Sequence, residues 1–296
     1  MSSNNWIIDY SKKNRSFMYE VNRVIAQTES PYQEIIIADT QFFGRAVFLD
    51  GMARLSSLDR QVYYEALVHP AMLAHACPKR VFVAGGGEGL ILNEILKHSP
   101  VDRVVLAERD ETLVRLAKEN LKDWLQGAFD DSRVEVIYRN PRDYLANTED
   151  FFDIIFIDVK SDFEEFPSPF ATSEFYALAK SRLAGGGILA TIAEHTEPGF
   201  HLPFVSIIKT LSRLFEGVVP YHTPITLFAD INAFAMAGPA DLKDRCTAAE
   251  IGRAIALRNL KLKHYDPESH QGMFSLPKHI RTALADPHAG GILHEQ

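Results

Sequence analysis

The 296-residue chain has only two cysteines, Cys77 and Cys246. Two isolated thiols supply neither a disulfide framework nor a Cys-type zinc site. No apolar run reaches membrane-spanning length, which excludes a transmembrane helix. Positive charge is short as well: 31 Lys and Arg stand against 39 Asp and Glu, for a net charge of -8. That balance disfavours a nucleic-acid or anionic-membrane partner. No histidine cluster has metal-ligand spacing, so no metal is expected. Met1-Ser-Ser-Asn-Asn-Trp6 carries neither a charged nor an apolar leader region, and a cytoplasmic protein is expected.

The chain has 46% apolar residues, enough for a sizeable core in one large domain, alone or with a small one. Residues 1 to about 65 read as β-rich. Glu34–Asp39 and Arg45–Asp50 are short apolar strands, and Asp50-Gly51 signals a hairpin into Met52–Leu55. From Gln61 the pattern changes. Tyr63–Ala76 has helical spacing, and strands then alternate with helices. The strands are Arg80–Ala84, Arg103–Ala107, Val134–Tyr138, Phe152–Asp158, Gly187–Ile192 and Ala233–Ala237. This alternation predicts an α/β fold with a parallel sheet covered on both faces. The boundary falls between Leu55 and Tyr63, which gives residues 1–60 as a β-strand domain and 61–296 as a Rossmann-like domain.

The most informative stretch is Val81-Phe-Val-Ala-Gly-Gly-Gly-Glu-Gly89. An apolar strand ends in Gly85, Gly86 and Gly87, then Glu88 and Gly89, and Leu90–His98 reads as a helix. In open α/β sheets such a loop brings a nucleotide to a helix N-terminus. Glu88 would repel a pyrophosphate. It suits a neutral sugar with a positive end, such as an adenosyl sulfonium. Glu108 closes the next strand, at the distance where a carboxylate accepts hydrogen bonds from ribose hydroxyls. Asn140 follows the third strand, where it can meet an adenine edge or cap a helix. Asp158 ends the fourth, facing the cleft.

These residues sit in segments that resemble the polyamine aminopropyltransferase family, the spermidine and spermine synthases. The matching segments include Tyr32-Gln33, Leu49-Asp-Gly51, Tyr63, Glu65, Leu67-Val-His-Pro-Ala-Met72, Gly85–Gly89, Gly127-Ala-Phe-Asp-Asp131, Glu174-Phe-Tyr176 and Phe274-Ser-Leu-Pro-Lys278. The resemblance implies a small antiparallel β-domain beside a methyltransferase-type doubly wound sheet, in homodimers or homotetramers. It implies decarboxylated S-adenosylmethionine as co-substrate, with no permanently bound cofactor, and putrescine or a related polyamine as acceptor. By position, Gln33, Glu88, Glu108 and Asn140 would hold the nucleoside. Asp158 would be the catalytic Asp, with Tyr63 as its partner. Tyr221 resembles a further acceptor-site tyrosine.

The departures from the family cluster on the acceptor side. Arg54 stands where the family has Gln, and Tyr64 where it has His or Gln. Asp162 is a candidate for the family's second acceptor-binding Asp after a one-residue slip; it is equally readable as part of a charged loop. A guanidinium at position 54 would repel a polyamine and clamp a carboxylate well. Alternatively, Arg54 points to solvent or pairs with a pocket acid. The sequence therefore leaves two other functions open. One is transfer of a 3-amino-3-carboxypropyl or methyl group from intact S-adenosylmethionine, with an amino-acid acceptor among the candidates. The other is non-catalytic nucleoside binding.

Overall fold

The structure, a computed structural model, describes residues 5–12, 15–159 and 166–295. The chain first forms a five-stranded antiparallel sheet in the order β1-β2-β3-β4-β5. These strands are β1 (Asn5–Lys12), β2 (Arg15–Glu29), β3 (Glu34–Thr40), β4 (Gly44–Leu49) and β5 (Met52–Ser56). The predicted hairpin closes through Asp50 and Gly51, whose φ angles of 50° and 73° are both positive. This is the turn whose twist matches that of its flanking strands.

Helix α1 (Arg60–Ala74) follows, buried from Tyr63 to Ala74. Such all-round burial marks a helix enclosed on several sides, and α1 packs against α2, the large sheet and the C-terminal helices. The large sheet has β6 (Arg80–Gly85), β7 (Arg103–Ala107), β8 (Val134–Ile137), β9 (Phe152–Asp158), β10 (Leu183–His195), β11 (Gly217–Ile225) and β12 (Asp230–Gly238). Their spatial order is β11-β12-β10-β9-β6-β7-β8. The five strands from β8 to β10 are parallel, and β12 is antiparallel to both β10 and β11. The expected parallel sheet is therefore a mixed one.

The intervening helices are α2 (Leu90–Leu96), α3 (Glu111–Asn120), α4 (Lys122–Leu125), α5 (Pro141–Asn147), α6 (Ser173–Ser181) and α7 (Leu202–Leu214). The chain ends in α8 (Leu242–Arg245), α9 (Ala248–Leu257), α10 (Pro267–Phe274) and α11 (Lys278–Ala285).

Strand alternation divides the core between the two faces. Val81 and Val83 of β6, with Ile154 and Phe156 of β9, pack with α1, α2 and the small sheet. Phe82, Ala84, Ile155 and Ile157 pack on the opposite face with α6 and α7. Strand order reverses at β6, which pairs with β7 on one side and β9 on the other. A ligand cleft is expected beyond the carboxyl ends of strands at such a point.

Two family-matching side chains have structural work. Glu65 is fully buried, and its carboxylate accepts backbone N–H groups from Lys263, His264 and Tyr265. His69 Nδ1 and His98 Nε2 lie 3.0 Å apart, and His69 Nε2 lies 2.9 Å from Glu94. Burial, reinforced by His69 and Arg258, pushes His98 down to about 2, so it is neutral across the physiological range.

Candidate active site

A cavity of about 390 Å³ lies at the reversal point, lined by Gln33, Arg54, Glu88, Glu108, Asn140 and Asp158 among others. Gly85 and Gly86 line it too. Each acid arrives from its own strand end, which explains why residues so distant in sequence meet. The loop fits closely. A Cβ on Gly87 would lie 2.7 Å from Glu108 Cγ, so only glycine lets the loop press against that carboxyl.

Glu108 Oε1 accepts the backbone N–H of Asp110 at 2.9 Å. Burial pushes Glu108 up to about 7, against the lowering effect of that hydrogen bond and with Glu88 adding to the rise. Asp110 caps α3 by accepting from Thr112 and Leu113, while its other oxygen accepts Gln33 Nε2 at 2.8 Å and Ser30 Oγ at 2.7 Å. This contact brings Gln33 from the small sheet to the cleft. Asn140 caps α5 by accepting the Arg142 N–H at 2.9 Å, and it lines the cavity as well. The cap and the cleft positions are therefore one place.

Arg54 organises the opposite side. Its side chain is 5% exposed. Nε donates to Glu88 Oε1 at 2.5 Å, Nη1 to Tyr63 Oη at 3.1 Å and Nη2 to Asp158 Oδ1 at 2.7 Å. The Tyr63 hydroxyl donates to the same Asp158 oxygen at 2.8 Å. Arg54 thus faces the pocket and pairs with pocket acids. Burial alone would lower its guanidinium, and Asp158 and Glu88 reverse that, holding it charged. Asp158 is raised by burial against the opposing pull of Arg54. Burial and Asp158 push the Tyr63 phenol well up, so Tyr63 is a neutral hydrogen-bonding group.

The remaining sequence candidates fare differently. Tyr64 packs edge-on to Tyr63, with centroids 4.9 Å apart. It lines a separate cavity beside α1 and α2, not this cleft. Tyr221 is not brought to the cleft either. It is fully buried, its ring stacks on Phe274 at 4.5 Å, and its hydroxyl donates to the Ala66 carbonyl. Strand alternation along β11 buries it there. Asp162 lies outside the described residues. Among the described residues, no group of three or more His, Cys, Asp or Glu is arranged to hold a metal.

Sequence reasoning missed Arg109, Arg142 and Phe170, which also line the cavity. It missed Asp110 too, whose signal was present: an acid immediately before a helical run.

Residues 60–240 match the family model described as the spermine/spermidine synthase domain, and residues 5–56 match the spermidine synthase tetramerisation domain. The chain belongs to the spermine/spermidine synthase family. A polyamine aminopropyltransferase 2 of Hyperthermus butylicus is 35% identical over 284 residues, covering 95% of this chain and 92% of that protein. One of the same name from Pseudomonas aeruginosa is 34% identical, covering 94% and 80%. A crystal structure of spermidine synthase in complex with the transition-state analogue AdoDATO superposes with a TM-score of 0.86 at 27% identity, covering 96% of each chain. Spermidine synthase from Thermotoga maritima gives 0.85 at 27% identity, covering 96% of this chain and 95% of that one.

Proposed function

We propose that the protein transfers an aminopropyl group from decarboxylated S-adenosylmethionine to an amine acceptor, putrescine or a related amine. The observation that carries this is Asp158, buried at the β9 end and bonded to Tyr63, in a cleft whose nucleoside side holds Glu108 and Gln33. The acceptor nitrogen attacks the methylene beside the sulfonium. A C–N bond forms, the C–S bond breaks, and methylthioadenosine leaves with the electron pair. The sulfonium is already a good leaving group, so the protein supplies mainly positioning and a neutral amine. Asp158 holds the amine and takes its proton, and Tyr63 fixes the carboxylate's orientation.

The intact-donor reading loses its carrier. It needed Arg54 free to clamp a carboxylate, and each of that guanidinium's three nitrogens already meets a protein acceptor. Thermal stabilisation tests the donor directly, because ligand shifts rank affinity by mass action. Decarboxylated S-adenosylmethionine should raise the melting temperature more than the intact form. A larger shift with the intact form overturns the donor assignment.

In this reading Glu108 accepts the ribose hydroxyls as a carboxylate. With Glu108 at about 7, methylthioadenosine should bind about tenfold more weakly near pH 6 than near pH 8. Titration calorimetry checks this, and Glu108→Gln should flatten the slope. Folding stability runs the other way. The raised group favours the protonated native form, so this contribution is lost as pH rises from the ordinary carboxylate range through about 7.

The proposal includes a division at residue 60, with 1–60 serving assembly and 61–296 catalysis, and a homodimer or homotetramer in the cytoplasm. Assembly is supported by one apolar face of the β1–β2 pair. Trp6, Ile8, Tyr10 and Met18 are exposed there, with Ile8 opposite Met18. Exposed apolar groups concentrated on one face mark an interaction surface. Ile8→Asp and Met18→Asp, which put charge on this face, should lower the mass seen by light scattering; an unchanged mass counts against this surface.

A further inference from the structure

A second cavity, of about 400 Å³, opens between α1, α2 and the segment 124–131. It matches the catalytic cleft in size and shares no lining residue with it. Val159 and Ser168, on either side of residues 160–165, line the cleft and not this cavity. Its two acids are already answered. Glu94 meets His69 Nε2 at 2.9 Å and Lys97 Nζ at 2.5 Å. Asp131 accepts from Arg133 Nε at 2.9 Å and Nη2 at 2.8 Å. Arg60, Lys261 and Lys263 line the same cavity, and none of them forms an ion pair with a described residue. Arg60 is half-buried over Trp124, 4.7 Å from the ring centroid, and its Nη1 donates to a carbonyl, that of Ser57. Burial pulls its guanidinium down, with only Glu94 opposing, as for a cation short of a counter-charge. Tyr64 adds a neutral donor. Burial pushes its phenol well up, and its hydroxyl is buried with no hydrogen-bond partner. A buried hydroxyl left unpaired is costly until a ligand accepts from it.

We propose that this cavity is a binding site for a phosphate-bearing anion, held by Arg60 at the wall, Lys261 and Lys263 at the exposed rim, and the Tyr64 hydroxyl. The site lies apart from the catalytic cleft, and the proposal does not rest on the transfer reaction. A guanidinium fits two phosphate oxygens at once, and the lysines add point charges that reach in from solvent. The enclosed wall strengthens these contacts relative to open surface. Trp124 reports on the site, because an anion that engages Arg60 changes what lies over the ring. It is one of only two tryptophans in the chain.

The test titrates the full-length protein with inorganic pyrophosphate, by calorimetry for affinity and by fluorescence of the Trp6→Phe protein for location. Pyrophosphate should bind saturably with a Kd below about 1 mM and change the Trp124 emission over the same range. Arg60→Gln and Lys261→Gln should each weaken it about tenfold. Lys261 is exposed, so that variant keeps the test open if Arg60→Gln does not fold. ADP identifies the source of the phosphate. Binding about tenfold tighter than pyrophosphate, and lost with Arg60→Gln, assigns a nucleotide; equal or weaker binding assigns the phosphate group alone. No saturable binding, the same response to sodium chloride at matched ionic strength, or binding that leaves Trp124 unchanged would each overturn the proposal. So would an affinity within about twofold of wild type in both folded variants.

Discussion

Asp158→Asn should lower kcat/KM for the amine acceptor by about 10³-fold, the range lost when a positioned proton acceptor is removed. Asparagine keeps the shape and can still accept from Tyr63 and Arg54. It cannot take the amine's proton, and its amide turns a donor toward the incoming nitrogen. The loss should appear in kcat more than in nucleoside affinity, because Asp158 meets Arg54 and Tyr63 on the acceptor side. Steady-state kinetics paired with methylthioadenosine binding separates the two. Methylthioadenosine affinity should stay within about threefold of wild type. An equal loss in both would assign Asp158 a role in shaping the whole cleft. A loss in neither would remove it from the chemistry.

Gly89→Ala should destabilise the fold by about 4 kcal/mol, from a left-handed backbone strain of ~2 and an overpacking cost of ~2. Gly89 has φ +79° where the loop enters α2, and its Cβ would lie 2.3 Å from Phe129 Cε2 and 2.8 Å from Leu125 Cδ2. Phe129 is itself buried, so the ring has little room to retreat. The loss is a large share of the 5–15 kcal/mol that holds a typical domain together. Urea unfolding of the variant should show the midpoint falling sharply. A variant within about 1 kcal/mol of wild type would mean that the helix entry relaxes freely. The same contact accounts for the segment Gly127–Asp131: it carries the ring against which the glycine loop is built.

Much of this architecture was legible because period and punctuation agree. The runs Arg103–Ala107 and Phe152–Asp158 form strands with those bounds. Each carries one clean pattern. The glycine loop and the carboxylates at the strand ends were equally readable, since a parallel sheet delivers successive strand ends to one edge.

The illegible parts have physical causes. β11 holds Pro220 and Pro224, which argue against a strand unless it lies at an edge. Here it does, as the outermost strand of the large sheet. Strand direction is not encoded in apolar alternation, so the antiparallel β12 looked like its parallel neighbours. α5 was missed although Asn140-Pro141 is a cap followed by proline at the first helical position. Arg54 shows the limit most clearly. The choice between a carboxylate clamp and a partner for pocket acids depended on where Glu88 and Asp158 end up. That is a tertiary fact, carried by two strand ends far away in the chain.

The most direct test of the account is to incubate the protein with decarboxylated S-adenosylmethionine and 1,4-diaminobutane and follow both products by mass spectrometry. The account predicts methylthioadenosine and an acceptor heavier by one aminopropyl group, in equal amounts, and neither product with Asp158→Asn. Failure to form methylthioadenosine with any amine, or transfer of a methyl or aminocarboxypropyl group from intact S-adenosylmethionine instead, would contradict it.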